Sequence, residues 1–470
     1  MAMNVKASMD RMIIFLLAAV YIAQQLTHWG PLNGVLGGLV FVAMLMLLPK
    51  LKGAALWLSV LFLAGGVTLM LVQRADLNYW LEAASINVTL VTLFVFAPLF
   101  GIPVRIPAYV EALKRFYARR VSSGTVLYIG TQILTQIMGA FINVGSIPVV
   151  YHLAFVRSYS PRMSGLLASA MNRGFGGAIF WSPYFAAMAL VTSALAVSWS
   201  SLLPYLIGLS LLSLLASIAV DWKGLGQKAN VPEEKRVPAA ADSDSAMHRQ
   251  SGVRAEKRES AAFPLSLGLY LILAIAIILL MEELAELPMV LITCMTAVIF
   301  PVVWCLSKGS MPSYWQGLRN HVTVTLPALQ KEITLFLAAG FFSGSIAATG
   351  FGAYIPGLLE HIPLPVVLSF SVMTVLAITL SSLIGLHPIV PVTVLATGID
   401  PAVVHISPVY FAVLLLGSWG ISNPISPASA VNNLLAGLLN RSVFELAKPN
   451  YKFTAVMAIA LLLYLALVFA

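Results

Sequence analysis

The chain has 470 residues, of which 60% are hydrophobic and only 10% are charged. Soluble domains are about one quarter charged, so apolar runs of this extent cannot all be buried in a water-soluble core. The runs are about 20 residues long and lack the alternation of a transmembrane barrel, which predicts an all-α polytopic membrane protein. The net charge of +9 comes from basic residues in short loops beside apolar runs, and it therefore does not indicate a nucleic-acid partner.

The first apolar run, residues 12–29, follows Lys6 and Arg11 and has no small-residue cleavage site. It is predicted to remain in the protein as an extra N-terminal span within residues 1–32. Further basic residues fall at every second loop, which places the N-terminus in the cytoplasm and the C-terminus outside. The sequence thus predicts an integral protein of a bacterial inner membrane.

Glycine, proline and polar residues divide the first half into distinct elements. A basic amphipathic stretch predicts a helix in the membrane surface, and a polar tip between two apolar arms predicts a re-entrant hairpin. A long apolar run is predicted to break at Asn172–Gly177 and again at Ser182-Pro183. The predicted elements are scaffold spans at 33–104, an interface helix at 105–120, an inner hairpin at 124–157, a broken helix at 163–197 and a span at 202–220.

The second half repeats this order after a Lys-, Glu-, Ala- and Ser-rich stretch at 221–262, which is predicted to be a disordered cytoplasmic linker. The second interface helix carries no Lys or Arg, as expected for the outer membrane surface. The predicted elements of residues 263–470 are scaffold spans at 264–348, an interface helix at 352–364, an outer hairpin at 365–399, a broken helix at 407–440 and a span at 452–469.

Short sequence matches support this repeat. Val91-Thr92-Leu93-Phe94 recurs 242 residues later as Ile333-Thr334-Leu335-Phe336, and Gly176–Pro183 aligns with Gly420–Pro427 at a shift of 244. Repeats of broken apolar segments in opposite orientations are what secondary transporters use to build one site that opens to either side. The sequence therefore predicts about 11 transmembrane helices in two inverted repeats, each with a re-entrant hairpin and a broken helix.

This order of interface helix, hairpin, broken helix and closing span resembles the ion transporter superfamily. Its layout is most similar to the divalent-anion/sodium symporter branch, the dicarboxylate and citrate carriers. The resemblance implies that the hairpin tips and helix breaks bind sodium and substrate, that the scaffold forms a homodimer interface, and that the remainder moves as an elevator. Ser-Asn-Thr motifs are typical of that branch, whereas here Ser422-Asn423 is followed by proline.

Sodium prefers neutral oxygen ligands, which freed carbonyl groups and side-chain oxygens at the tips and breaks can supply. The predicted ion-binding residues, a possible Na⁺ site, are Asn143, Gly145, Gly177, Ser382, Gly385, Gly420, Ser422 and Asn423. The N-termini of half-helices favour anions through free N–H groups and the helix dipole. The predicted substrate-binding residues are Asn143, Ser146, Arg173, Ser182, His387, Ser426 and Asn432.

Two of these residues have alternative interpretations. A charge at bilayer depth is costly, so Arg173 is expected to bind an anionic group of the substrate, unless it lies near the cytoplasmic base, eleven residues after Arg162. His387 is expected either to accept a coupling proton or to cap a helix. No acidic residue falls in the middle of a hairpin or broken helix, which disfavours a proton antiporter.

These features predict a secondary active transporter of a small anionic, carboxylate-like solute, coupled to Na⁺ or H⁺ and needing no other cofactor. A proton-coupled antiporter or exporter of another solute is the alternative. An enzyme is disfavoured, because the seven histidines are scattered and no metal or nucleophile constellation is present. A channel is disfavoured, because paired broken helices of opposite orientation fit alternating access better. The expected partners are the solute, the lipid bilayer and a second copy of the chain, with no nucleic acid.

Overall fold

The computed structural model describes residues 2–120, 123–155, 159–225, 264–285, 287–359 and 361–469, and these ranges fold almost entirely into α-helices. Twelve helical segments of the described chain are long and apolar enough to cross a membrane, or 13 when one bent pair is counted as a span. Two of these 13 belong to the predicted hairpins, so the remainder agrees with the expected number of spans. The prediction of an all-α polytopic membrane protein is confirmed.

The described residues of the first half contain twelve α-helices. They are α1 Ala2–Thr27, α2 Pro31–Leu47, α3 Ala54–Val72, α4 Leu77–Ser85, α5 Val88–Phe96, α6 Gly101–Val104, α7 Pro107–Arg120, α8 Gly124–Ile142, α9 Ser146–Ala154, α10 Pro161–Trp181, α11 Ala186–Leu195 and α12 Trp199–Leu225. Residues 221–225 were predicted to begin the linker but belong to α12, and the rest of the predicted linker lies outside the described residues.

The part of the second half that the structure describes contains twelve more α-helices. They are α13 Leu265–Ala285, α14 Met289–Ser307, α15 Met311–Asn320, α16 Leu326–Ala328, α17 Gln330–Ala347, α18 Ile355–Leu359, α19 Val366–Leu383, α20 Ile389–Gly398, α21 Pro408–Ser422, α22 Ala430–Leu439, α23 Val443–Ala447 and α24 Tyr451–Val468. Helix α15 was not predicted, because its polar residues do not form a long apolar run. This helix continues through a π-helical turn at His321–Thr325 and meets α17 at a bend of 55°.

The helices form two groups, which we call the frame (α1–α6 and α13–α17) and the core (α8–α12 and α19–α24). In the frame, α17 packs against α2, α3 and α4, and in the core α10 packs against α8, α12 and α21. The broken helices lie in the middle of the molecule, since 94% of the apolar window of Pro408–Leu439 is buried, against 28% for α13. The frame and core meet where α11 contacts α5 and where α20 contacts α17.

Equivalent residues of the two repeats touch each other in both groups. In the frame, the rings of Phe94 and Phe336 stack with centroids 5.5 Å apart. In the core, a Cβ on Gly176 would lie 2.6 Å from the Gly420 carbonyl oxygen, and a Cβ on Gly420 would lie 2.7 Å from the Gly176 oxygen. Reciprocal contacts of this kind are typical of positions on a twofold axis.

The break in the first long apolar run is not where glycine was expected to place it. The Asn172–Gly177 stretch lies inside α10, which is helical to Trp181, and the break falls at residues 182–185. Pro183 cannot donate to the carbonyl four residues earlier, which ends the helix. The glycines are instead tolerated because packing on every side stabilises α10, and they allow the close approach to α21.

Candidate functional site

Four irregular segments form two pairs, each a hairpin tip beside a helix break, and the two broken helices α10 and α21 contact each other. We call them tip 1 (residues 143–145, between α8 and α9), tip 2 (384–388, between α19 and α20), break 1 (182–185) and break 2 (423–429). Ser182 Oγ of break 1 donates a 2.7 Å hydrogen bond to the Ala140 carbonyl just before tip 1. At the other end, a Cβ on Gly385 of tip 2 would lie 3.6 Å from Pro427 of break 2.

Tip 1 is a tight turn with a free hydroxyl. Asn143 has a positive φ of 49°, and its side-chain oxygen accepts a 2.7 Å hydrogen bond from the Val144 N–H. Ser146, the first residue of α9, is completely buried, and its Oγ has no hydrogen-bond partner within the described chain. Buried hydroxyls are nearly always paired in native proteins, so this one marks a place where a ligand or water is expected.

Tip 2 has a similar arrangement. Gly385 adopts φ of 92°, a region that glycine enters without strain, and the buried Ser382 Oγ has no partner in the described chain. His387 accepts a 3.2 Å hydrogen bond from the Ile389 N–H through Nδ1, and its ring contacts those of Phe336 and Trp419. His387 is therefore a capping residue at the start of α20, with Nε2 left for any further role.

The two breaks contain the same turn. Ser182 Oγ accepts from the Tyr184 N–H and Ser426 Oγ accepts from the Ala428 N–H, each at 3.3 Å. Both serines are at least 99% buried. These two predicted substrate-binding residues thus use their hydroxyls to shape the breaks, at positions equivalent in the two repeats.

Break 2 is held by two asparagines. Asn432 Nδ2 donates to the carbonyls of Pro424 and Ser426, and its Oδ1 accepts a 2.6 Å hydrogen bond from Asn172 on α10. Because all these bonds are internal, Asn432 stabilises the break and is not available to a solute. Asn423 keeps one free group, since its Oδ1 accepts from Ser429 while the buried Nδ2 has no partner in the described chain.

Three of the predicted ion-binding residues lie inside helices or are already bonded. Gly177 is in the middle of α10, where a Cβ would lie 2.7 Å from Gln136 Oε1. The Gly420 carbonyl lacks a helical donor because residue 424 is proline, but it faces Gly176. Ser422 Oγ donates to the Trp419 carbonyl. Packing between helices, which spacing along the chain does not reveal, accounts for both glycines.

Arg173 does not line the site, contrary to the expectation that it binds substrate. Its guanidinium forms a 2.7 Å ion pair with Asp221 and further hydrogen bonds with Tyr128, Ser217 and Asn450. The side chain is completely buried, so these partners fulfil the pairing that a charge in the membrane requires. The alternative interpretation, a position near the cytoplasmic base, agrees with Asp221 at the end of α12.

The sequence analysis missed three residues at tip 1 and break 1. The buried ring of Tyr184 lies between Phe100 of the frame and Phe141 of hairpin α8–α9, and its hydroxyl has no partner in the described chain. Trp181 Nε1 is likewise buried and unpaired among these residues. The third is Arg105, whose guanidinium lies against Gly145 of tip 1. Trp181 and Tyr184 flank Ser182-Pro183, a position that could have suggested both of them, whereas nothing in the sequence indicates Arg105.

The free groups at the site are thus hydroxyls, an amide, aromatic N–H or O–H groups and the Arg105 guanidinium. Serine oxygens can coordinate a hard cation such as Na⁺, while the amide N–H of Asn423 and the Ser146 hydroxyl can donate to a solute oxygen. No group of three or more His, Cys, Asp or Glu side chains within the described residues is arranged to hold a metal ion. The arrangement suits reversible binding of a small solute.

Comparisons with known proteins identify the fold. No family model and no curated protein matches the chain. Among solved structures it is similar to the YdaH transporter of Alcanivorax borkumensis, described as having an unusual topology, with a TM-score of 0.57 and 15% identity over 88% of this chain and 98% of that one. The chain is therefore an integral membrane protein with a fold that a transporter also has.

Proposed function

We propose that this chain is a secondary active transporter of a small anionic organic solute, coupled to Na⁺ or H⁺. The observation that carries the proposal is that each hairpin tip lies beside a helix break, and that the two broken helices contact each other at equivalent glycines of the two repeats. Broken helices at a repeat interface form the substrate and ion sites of secondary transporters, because their free backbone and side-chain groups lie at membrane depth. The fold shared with YdaH supports this class of function.

Alternating access is supported by an offset between core and frame. If the core were centred, the two tips would touch the frame at equivalent positions. Instead, a Cβ on Gly101, seven residues beyond Phe94, would lie 3.2 Å from Ile142 Cβ beside tip 1, whereas His387 of tip 2 contacts Phe336 itself. The core is thus displaced towards the end of α6, which the positive-inside pattern predicts to face the cytoplasm.

The offset gives the size of the movement. Seven residues correspond to about 10 Å along a helix. Exchanging the contacts of the two repeats would therefore carry the core about 10 Å across the frame and present the same site to the other side. We propose an elevator movement of this size, with the structure in its cytoplasm-facing state.

The coupling ion is proposed to be Na⁺, because the buried Ser382 hydroxyl at tip 2 has no partner in the described chain and offers the neutral oxygen that a hard cation prefers. Proton coupling is the second candidate, supported by His387 at tip 2, whose Nε2 has no hydrogen-bond partner within the described chain. A proton-coupled exporter would use this imidazole in place of a sodium site.

Reconstituted vesicles test this function. Uptake or efflux of labelled carboxylates would be measured under Na⁺, H⁺ or no imposed gradient, together with a melting-temperature screen of the purified protein against anions in Na⁺ or choline. Sodium-dependent stabilisation and transport of an anion are expected. Stabilisation by neutral solutes alone, with no anion moved under any gradient, would contradict anion transport.

We also propose that the frame forms a homodimer. Its helix α13 exposes a row of large apolar side chains at Leu265, Leu269, Ile272 and Leu280. The mass of the detergent-solubilised particle, measured by native mass spectrometry, should correspond to two chains. A particle of one chain at all concentrations would remove the homodimer from the proposal but leave transport intact.

A further inference from the structure

Arg105 has a position that its sequence context does not explain. It is the first residue after α6, on the frame, and its guanidinium lies directly against Gly145 of tip 1, with Cζ 3.4 Å from where a Gly145 Cβ would be. Its side chain has no hydrogen bond or ion pair with any residue that the structure describes, and part of its surface remains exposed. An unpaired guanidinium against a hairpin tip has its donors available for a ligand.

Two further groups at tip 1 favour an anion. Helix α9 begins at Ser146, directly after the 3₁₀ turn at Asn143–Gly145, so the positive end of its dipole lies at the tip. The Ser146 hydroxyl next to Gly145 is buried and without a partner among the described residues. A guanidinium, a helix N-terminus and a free hydroxyl together form a site for a planar oxyanion, because guanidinium binds carboxylate or phosphate oxygens in pairs.

We propose that Arg105 binds the carboxylate of the transported solute, and that it does so only when the site faces the end of α6. This inference rests on the proposed function and adds the recognition residue and its sidedness. Arg105 belongs to the frame, whereas Gly145 and Ser146 belong to the moving core. A movement of about 10 Å would separate them.

The repeat explains the sidedness. The position equivalent to Arg105 in the second half, 242 residues later, is Ala347 at the end of α17, which has no charge. Tip 2 would therefore meet no guanidinium in the opposite state. The anion is held more tightly on the side of α6, so the half-saturating concentration for the anion should be lower there than on the other side.

The first test measures anion binding by the melting temperature of the full-length protein. Acetate, succinate and inorganic phosphate are titrated against the wild type, Arg105→Gln, Arg105→Lys and, as a control that removes another exposed cation, Lys52→Gln. We expect Arg105→Gln to weaken binding of the stabilising anion about tenfold or more, since hydrogen bonds to charged groups contribute that much. Arg105→Lys should retain part of the affinity, and Lys52→Gln all of it.

A second variant tests the geometry without removing the charge. A Cβ on Gly145 would occupy the space of the Arg105 guanidinium, which can swing away because it ends a flexible side chain. Gly145→Ala should therefore weaken anion binding in the same direction. The double variant with Arg105→Gln should be no weaker than the worse single variant, because both remove one interaction.

The outcomes separate this inference from the proposed function. If Arg105→Gln binds the anion as tightly as the wild type, anion transport stands and the role of Arg105 is wrong. If no anion stabilises even the wild type, both are wrong. A lipid phosphate has the same chemistry, so nanodiscs of phosphatidylglycerol and phosphatidylcholine are compared. Arg105-dependent stabilisation by phosphatidylglycerol, with no effect on free anions, would assign Arg105 to a lipid headgroup and overturn the proposal.

Discussion

Arg173 and Asp221 form a buried ion pair that connects α10 to α12. Asp221→Asn would leave the Arg173 charge without its counter-ion in a completely buried position. Breaking a buried pair from one side costs about 3–5 kcal/mol, so we expect a clear fall in melting temperature and, in the folded fraction, unchanged anion stabilisation. Glu111→Gln is the control, because it removes an exposed partner of Lys114 and should have little effect.

The same pair gives a direct check on the reassignment of Arg173. Arg173→Gln is expected to destabilise the protein while leaving anion affinity intact. A folded Arg173→Gln protein of normal melting temperature that no longer binds anions would restore the substrate-binding role. These two measurements separate folding from recognition, because the first reads stability and the second reads ligand affinity.

At the residue scale, the sequence indicates which residues are unusual in a membrane span, but not which residues they contact. Arg173 was selected because a charge in an apolar run is unusual, yet the partner Asp221 lies 48 residues later and was assigned to the linker. Arg105 was counted only as a cytoplasmic charge, since nothing in the sequence places it next to Gly145. Ser146, Ser382 and Asn423 were found because polar residues in Gly- and Pro-rich breaks are uncommon in apolar runs.

Helices α10 and α21 can cross closely because a glycine of each helix, Gly176 and Gly420, lies at the point of contact. In Gly176→Ala, the new Cβ would lie 2.6 Å from the backbone oxygen of Gly420, which cannot rotate away. We expect a loss of about 1–3 kcal/mol in stability and loss of transport, because the helices must separate. Gly437→Ala on α22 has nothing within 4 Å of its Cβ and should be neutral or slightly stabilising in thermal unfolding.

A contact between core and frame should bias their relative position. Both carboxylate oxygens of Glu282 on α13 accept 2.7 Å hydrogen bonds, from the N–H groups of Trp199 and Ser200 at the start of α12. A movement of the core must break this charged cap, which stabilises the observed state by about 1.5–3 kcal/mol. Glu282→Gln should therefore raise the fraction of molecules whose site faces the outside. A cysteine placed at tip 2 should then react faster with a membrane-impermeant maleimide added outside. Unchanged labelling would argue that α12 does not move against α13.

At the element scale, period and composition predicted most of the helices, because apolar runs about 20 residues long have few alternatives in a membrane. The predicted break at Asn172–Gly177 was wrong, since a buried helix tolerates glycine, whereas the predicted break at Ser182-Pro183 agrees with the end of α10, because Pro183 removes a donor. Helix α15 was missed because its Ser, Gln, Arg and Asn residues resemble those of a loop. The second interface helix is shorter than predicted, with a 3₁₀ turn at Phe351–Tyr354 before α18.

On the scale of the whole molecule, equivalent residues of the two repeats contact each other in the frame and in the core, as on a pseudo-twofold axis in each. Sequence matches could predict the repeat, because Phe94 and Phe336 or Gly176 and Gly420 stand at nearly constant shifts. They could not predict the offset between frame and core, because the same sequence is compatible with either contact set. Only the packing of tip 1 against Gly101 and of tip 2 against Phe336 selects one state.

Cysteine pairs can test whether the second state exists. In Gly101→Cys/Ile142→Cys, the two Cβ atoms would be about as close as a disulfide requires, so oxidation should cross-link the observed state and stop transport until a reductant is added. The repeat-exchanged pair is Ser343→Cys/Leu386→Cys. In the observed structure Ser343 instead hydrogen-bonds Thr397, at the far end of α20.

That second pair should cross-link only when the core has moved by about 10 Å. We therefore expect slow cross-linking of Ser343→Cys/Leu386→Cys that accelerates when the Glu282 cap is removed, because both depend on the population of the opposite state. The single-cysteine variants control for reaction between molecules. The contradicting result is that Ser343→Cys/Leu386→Cys never cross-links in an actively transporting protein in which Gly101→Cys/Ile142→Cys cross-links readily. The core would then not move by exchanging the contacts of the two repeats, and access would alternate by local movement of the tips alone.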